Sequence, residues 1–193
     1  MPWEKNFDVA EVLNKVMNTF WARGYEATSM QDLVDSTGIN RGSLYATYGD
    51  KHALFVAALN RYDSEMRQKL LAELEENFGP REAIARLFHA FLATLSESGS
   101  NRGCFLTNTA LELAPHDRDV GTIVAHAQEQ IEAFFARMLR KGKEAGEIPA
   151  SVKTTEASRG LLASLIGLVV LMRSRPDRVL LKSVLDDALR RLN

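Results

Sequence analysis

One cysteine, Cys104, stands among 193 residues. That excludes an internal disulfide framework and fits a reducing cytosol, so a cytoplasmic protein is expected. The five prolines and the turn glycines fall mostly between apolar-periodic segments, and no convincing period-2 alternation occurs. Strands are therefore not expected, and the chain reads as all-α. Long hydrophobic runs are also missing. The longest, Gly160 to Met172, is shorter and more broken than the roughly 20 residues a membrane span needs. Met1 to Asn6 is short and polar and leads straight into a capped helix, so no leader is expected. A net charge of −1 gives no bulk signal for a polyanionic partner. Neither a Ser/His/Asp set, a zinc cluster nor a phosphate-cradling glycine loop is present. His116-Asp117 with His89 and His126 falls on no common helix face. No enzyme, metal or cofactor is expected.

What is present is periodicity. A hydrophobic content of 46% is enough for a real core. The organising stretch is Thr28 to Leu54, TSMQDLVDSTGINRGSLYATYGDKHAL. Thr28 and Ser29 can cap a helix, with Gln31 and Asp32 in reach of a capping box. Gly38 supplies a turn that a Cβ would resist. Asn40 can cap a second short helix, Arg41 to about Thr47. Leu33, Thr37, Ile39, Leu44 and Tyr48 stand where inward side chains of a helix-turn-helix belong. In that motif the second helix enters the DNA major groove. A packing partner precedes it: Val9, Val12, Leu13, Val16, Met17 and Phe20 form one apolar stripe, opened by Asp8 and closed by Gly24. Asp50 caps a further helix carrying Leu54, Phe55, Ala58, Leu59 and Tyr62.

On this reading Arg41, Gly42, Ser43, Tyr45 and Thr47 face the groove. Arg41 can address guanine or a phosphate, and Tyr45 a phosphate or a thymine methyl. Thr28, Ser29 and Lys51 are placed to clamp phosphates, and Tyr48 to serve either the core or a phosphate. Residues 1–55 carry five basic against seven acidic side chains. Few charge contacts per subunit and a shallow salt dependence follow. The alternative is an all-α interaction protein without DNA binding.

The segment FWARGYEATSMQDLVDSTGINRGSLYATYGDKHALF resembles the DNA-binding domain of the tetracycline-repressor (TetR) family. The matching features are Gly24-Tyr25 before Thr28-Ser29, then Gly38, Gly42-Ser43-Leu44-Tyr45, and Lys51 followed by Ala53-Leu54. The likeness runs from Asp8 to Phe55. It departs at Ala46 and Thr47, small where many members carry aromatic or His side chains, and at Tyr48, where the family usually has a core Phe. The resemblance implies a dimeric bacterial repressor released from double-stranded operator DNA by a small molecule. It divides the chain into a DNA-binding domain, 1–55, and a ligand-binding and dimerisation domain, 56–193.

Beyond the head, Asp50 to about Asn77 reads as one long helix with room for a bend at Asp63-Ser64. Gly79-Pro80 ends it. Helices are expected over 81–98, 103–113, from Asp117 onward, over 153–173 (capped by Thr154 or Thr155) and from Pro176. Between them Glu97 to Asn101 is a polar loop. A ligand pocket is expected among residues 81–138, lined by Phe88, Phe91, Phe134 and Met138. Cys104, Thr107, Asn108, His89, His126 or Gln130 would be its polar points. The plain alternative makes the Phe and Met residues core and the histidines surface. Cys104 starts a helix near Arg102, which opens a redox-sensing alternative beside that of a small buried residue. Gly160, Ala163, Ser164, Gly167 and Leu171 share a helix face. With Leu185 and Leu189 they carry more apolar surface than one core needs, so a homodimer through a four-helix bundle is expected.

Overall fold

The computed structural model describes residues 7–95 and 101–193. The expected N-terminal arm and most of the expected loop at 97–101 lie outside these residues. Ten α-helices follow in chain order, with no strand among the described residues. The first four are α1 (Val9–Arg23), α2 (Met30–Thr37), α3 (Arg41–Tyr48) and α4 (Lys51–Tyr62). Next come α5 (Lys69–Asn77), α6 (Pro80–Leu92), α7 (Phe105–Glu112), α8 (Arg118–Glu144), α9 (Thr154–Ser174) and α10 (Arg178–Arg190).

The head is specified by local chemistry. Asp8 accepts from the Ala10 and Glu11 amides, and Asn40 from Ser43. Ser29 and Asp32 form a reciprocal capping box, and Asp50 accepts from Ala53. Three of the head's seven acidic residues are thus spent on helix N-termini, which accounts for much of its acidic balance. Gly24 and Gly38 end α1 and α2 with φ of 88° and 73°, a region where a Cβ is penalised.

At the place expected to bend, the exit helix has a π-helical segment, Asp63–Gln68, which joins α4 to α5 without a break. It carries the buried pair Asp63 and Arg67. Several boundaries differ from the sequence reading. The helix expected over 81–98 stops at Leu92, and α9 starts after Lys153 with no side-chain cap from Thr154 or Thr155. Asp177, not Pro176, caps α10.

Two apolar cores result. One lies inside the body, where Phe88, Phe134, Phe135, Leu161, Leu168 and Leu181 meet. The other fills the head but does not stop at residue 55. Val16, Phe20, Leu33, Leu44 and Phe55 continue into Phe105, Leu113, Val120 and Val169 of the body. Edge-to-face rings mark the seam: Phe55 meets Phe20 at 5.0 Å and Phe105 at 5.4 Å.

α9 is longer than the apolar run that marks it. Its 21 residues, with a mean hydropathy of 1.5 over the most apolar 18-residue window, are long and apolar enough to cross a membrane by length and composition. In the fold it is a core helix: Leu161, Leu165, Leu168, Val169 and Met172 are buried against its neighbours.

Candidate nucleic-acid interface and ligand cavity

α3 rests on Leu44, which is 1% exposed, and turns its other side outward. Arg41, Gly42, Tyr45 and Ala46 are exposed on that side, while Ser43 and Thr47 are half-buried. The Arg41 guanidinium lies 5.5 Å from the Tyr45 ring centre and donates to its hydroxyl at 3.3 Å. Cation and ring therefore form one surface element, able to meet a phosphate or a base edge. A Cβ at Gly42 would meet Asn40 Oδ1 at 3.4 Å, an ordinary contact, so packing within the chain does not require glycine there.

The residues expected to face phosphates fare unequally. Ser29 is exposed, and its hydroxyl donates to Asp32 Oδ2 at 2.6 Å while accepting from the Asp32 amide. This bond is the main reason the Asp32 carboxyl falls to about 2, with the Ser29 amide and Arg23 adding to it. Thr28 corrects the sequence reading. It is fully buried, and its hydroxyl donates to the Gly24 carbonyl at 2.6 Å, closing the α1–α2 turn. Tyr48 is half-buried and donates to the Val9 carbonyl at 3.3 Å, so it ties α3 to α1. Its pKa is raised, chiefly by burial. The Lys51 ammonium sits 4.3 Å from the Tyr25 ring centre at the start of α4. Behind it, His52 pairs with Asp117 at 2.6 Å, linking the head to the first turn of α8.

In the body, a cavity of about 300 Å³ lies between the π segment, α5, α6, α8 and α9. Tyr62, Met66, Leu70, Phe91, Ile131 and Leu165 supply most of its apolar wall, and Arg67 its buried charge. Of the residues expected to line a pocket, Phe91 and Cys104 do so here. Thr107 lines a small adjoining recess that shares those two residues. Asn108 lies elsewhere, on a larger, open cleft between α1, α7 and α9. That cleft is more polar-walled, so the more apolar cavity is the better small-molecule site. Phe88, Phe134 and Met138 are corrected: at 0%, 0% and 1% exposure they are interior packing. His89 and His126 are exposed, whereas Gln130 accepts from Arg67 Nη2. Cys104 is buried, accepting from the Tyr62 hydroxyl at 3.5 Å, and fits the reading of a small buried residue.

The residues that sequence reading missed are Tyr62, Met66, Arg67 and Leu70. Their signal was visible: the apolar stripe Phe55, Leu59, Tyr62, Leu70, Leu74 is interrupted by an Asp63–Arg67 pair at i, i+4.

On α9, Gly160, Ser164, Gly167 and Leu171 are half-buried and Ala163 is exposed. On α10, Leu189 is half-buried. Leu185 is corrected, being 4% exposed and turned into its own core.

A capped recognition helix over a closed three-helix core, carried on a helical body with an apolar cavity, defines a helix-turn-helix DNA-binding protein with a sensory domain. The sequence agrees along both halves. The profile of the bacterial regulatory proteins of the tetR family matches residues 12–58, and that of the tetracyclin repressor-like C-terminal domain matches 80–186. The chain belongs to the TetR family of transcriptional regulators. It is 35% identical over 144 residues to the uncharacterised regulator YezE of Bacillus subtilis (strain 168), covering 75% of this chain and 74% of that one. To the transcriptional repressor ComR of Escherichia coli (strain K12) it is 32% identical over 170 residues, 88% and 81% of the two chains. A cysteine mutant of the TetR-family regulator CifR, solved with 26-bp double-strand operator DNA, superposes with a TM-score of 0.85 at 28% identity. The match covers 98% of this chain and 99% of that one.

Proposed function

We propose that this protein is a homodimeric repressor that binds a palindromic operator through α3 and is released when a small molecule enters the body. The observation that carries it is the outward Arg41–Tyr45 face on a helix whose other side is closed by Leu44. Gly42, Ser43 and Thr47 border that face. Ser29 and Lys51 flank it at helix starts, where backbone amides also favour phosphate. The small residues of α9, with Leu189 of α10, form the dimer seam and set two heads about 34 Å apart, the spacing of successive major grooves. The unit formed by residues 1–55 reads DNA, and 56–193 senses and dimerises. The protein acts in the cytoplasm and is not an enzyme.

The switch is a population shift. A ligand that prefers the conformation with misplaced heads lowers operator affinity by its differential affinity, and about 1–3 kcal/mol of coupling suffices. The path is short in this fold: α4 runs from Lys51 beside α3 through the π segment to the cavity wall. The test is fluorescence anisotropy on DNA just upstream of the coding region, wild type against Tyr45→Ala, at two salt concentrations. Tight binding that the substitution abolishes supports the reading. Absent binding, or weak binding equal in both proteins, refutes it in favour of an interaction protein.

A further inference from the structure

Arg67 is 8% exposed, on the inward side of the π segment. A guanidinium has five N–H donors. Its Nε donates to Asp63 Oδ1, and its Nη2 to Asp63 Oδ2 at 2.9 Å and to Gln130 Oε1. Three donors are thereby used. Nη1, with the remaining two, is buried and has no partner among the described residues. A buried donor on a charged group is costly to leave unmatched, and such orphans in native proteins call for an explanation. Here the residue that bears it is also in the wall of the apolar cavity.

We infer, resting on the ligand-responsive reading above, that the cavity takes a neutral, mainly apolar molecule whose carbonyl-type oxygen accepts from Arg67 Nη1. Neutrality follows from the charges in place. Arg67 is already balanced by Asp63, whose Oδ2 also accepts from Gln68 at 2.6 Å. A carboxylate ligand would leave a net negative charge beside Asp63 against an apolar wall, and burying unbalanced charge is expensive. Glu65, also in the wall, is paired with Lys69 and half in solvent, so it does not alter this balance. Apolar character follows from Trp21, Met66, Leu70, Leu87, Phe91 and Ile131. About 300 Å³ admits a ligand of roughly one fused aromatic ring pair with a short side chain. Because Arg67 belongs to the segment continuous with α4, a ligand oxygen on Nη1 acts directly on the helix that carries the head.

The experiment uses the whole protein and three probes of one shape. They are 6-propionyl-2-(dimethylamino)naphthalene, its 6-propyl counterpart lacking the carbonyl, and the corresponding 6-carboxylate. Binding is read from the fluorescence of each. The ketone should bind wild type about ten- to a hundredfold tighter than the propyl compound, the worth of one hydrogen bond from a charged donor. It should also exceed the carboxylate. In Asp63→Asn/Arg67→Met, which removes both charges together, the ketone's advantage should vanish while apolar binding persists. Ala90→Phe, which fills the cavity from α6, should abolish all three. The wild-type comparison needs no variant to fold. Equal ketone and propyl binding, a preference for the carboxylate, or no binding of any probe each overturns the inference. Operator anisotropy in the same samples separates the two readings. Intact operator binding without a ketone preference sinks only this inference, whereas absent operator binding sinks the repressor reading whatever the probes do.

Discussion

The head and the body begin their helices differently. In the head, α1 to α4 all start on a side chain that accepts a backbone amide: Asp8, Ser29, Asn40 and Asp50. In the body, α6, α7 and α9 start without one, and only α8 and α10 are capped, by Asp117 and Asp177. Helix length explains part of this. α2 and α3 have eight residues each, so the four orphan amides at the start are half of their donors. α8 and α9, with 27 and 21 residues, are held by packing along their length. α7 is short and uncapped, and survives because Phe105, Leu106 and Thr109 are buried. The head is thus encoded by neighbours in sequence, the body by neighbours in space.

If the shared seam makes these two regimes one cooperative unit, breaking it should cost most. Phe55 is 1% exposed and meets Phe20, Tyr25 and Phe105. Phe55→Ala should destabilise the protein by about 3–5 kcal/mol. In urea, near- and far-ultraviolet circular dichroism should still report one coincident transition. Two separate transitions would mean that head and body are independent, and the seam mere contact.

A second break tests the body's outer face. A Cβ at Gly167 meets nothing within 4 Å in the single chain. Gly167→Trp should therefore leave the monomer folded while obstructing a partner. Sedimentation should show the dimer dissociation constant rising about a hundredfold or more, the effect of a clash at an interface centre. An unchanged dimer would move the interface away from α9.

The contrast in coding also decides what could be read from sequence. Gly24, Gly38, the caps and the 3.6-residue stripes are short-range signals, so the head's helices, its turn and the Arg41–Tyr45 face were legible. Thr28 was not. Both a phosphate clamp and a turn closure want a hydroxyl there, and only the fold shows it pointing at the Gly24 carbonyl. The expected pocket lining was only partly legible, for a related reason. Phe88, Phe134 and Met138 share the composition of a cavity wall, but filled core and lined cavity differ only in the third dimension. Arg67 was the available clue, since a buried-stripe charge demands a partner that sequence can name only as Asp63.

Milder changes sharpen the comparison. Removing a head cap should cost more than altering an uncapped body start. Asn40→Ala should lower stability by about 1 kcal/mol, whereas Lys153→Ala should change it by less than about 0.5 kcal/mol. Equal losses in denaturant midpoints would undo the claim that the head depends on caps.

The smallest effect concerns how each region holds its cap against acid. Asp32 titrates at about 2 in the folded head, below the ordinary 3.8, chiefly because Ser29 donates to it. A folded pKa below the unfolded one adds stability above pH 4, which is lost as pH falls through 4 towards 2. Wild type should therefore be more stable than Asp32→Asn near neutrality, and the gap between their denaturant midpoints should close between pH 4 and 2. Asp117 is lowered too, first by the Val120 amide and then by His52 from across the head–body junction. His52→Ala should therefore shrink the acid-sensitive contribution of Asp117 and leave that of Asp32 untouched. If it alters both equally, the head's caps are not locally set, and the division between the two regions fails at its most sensitive point.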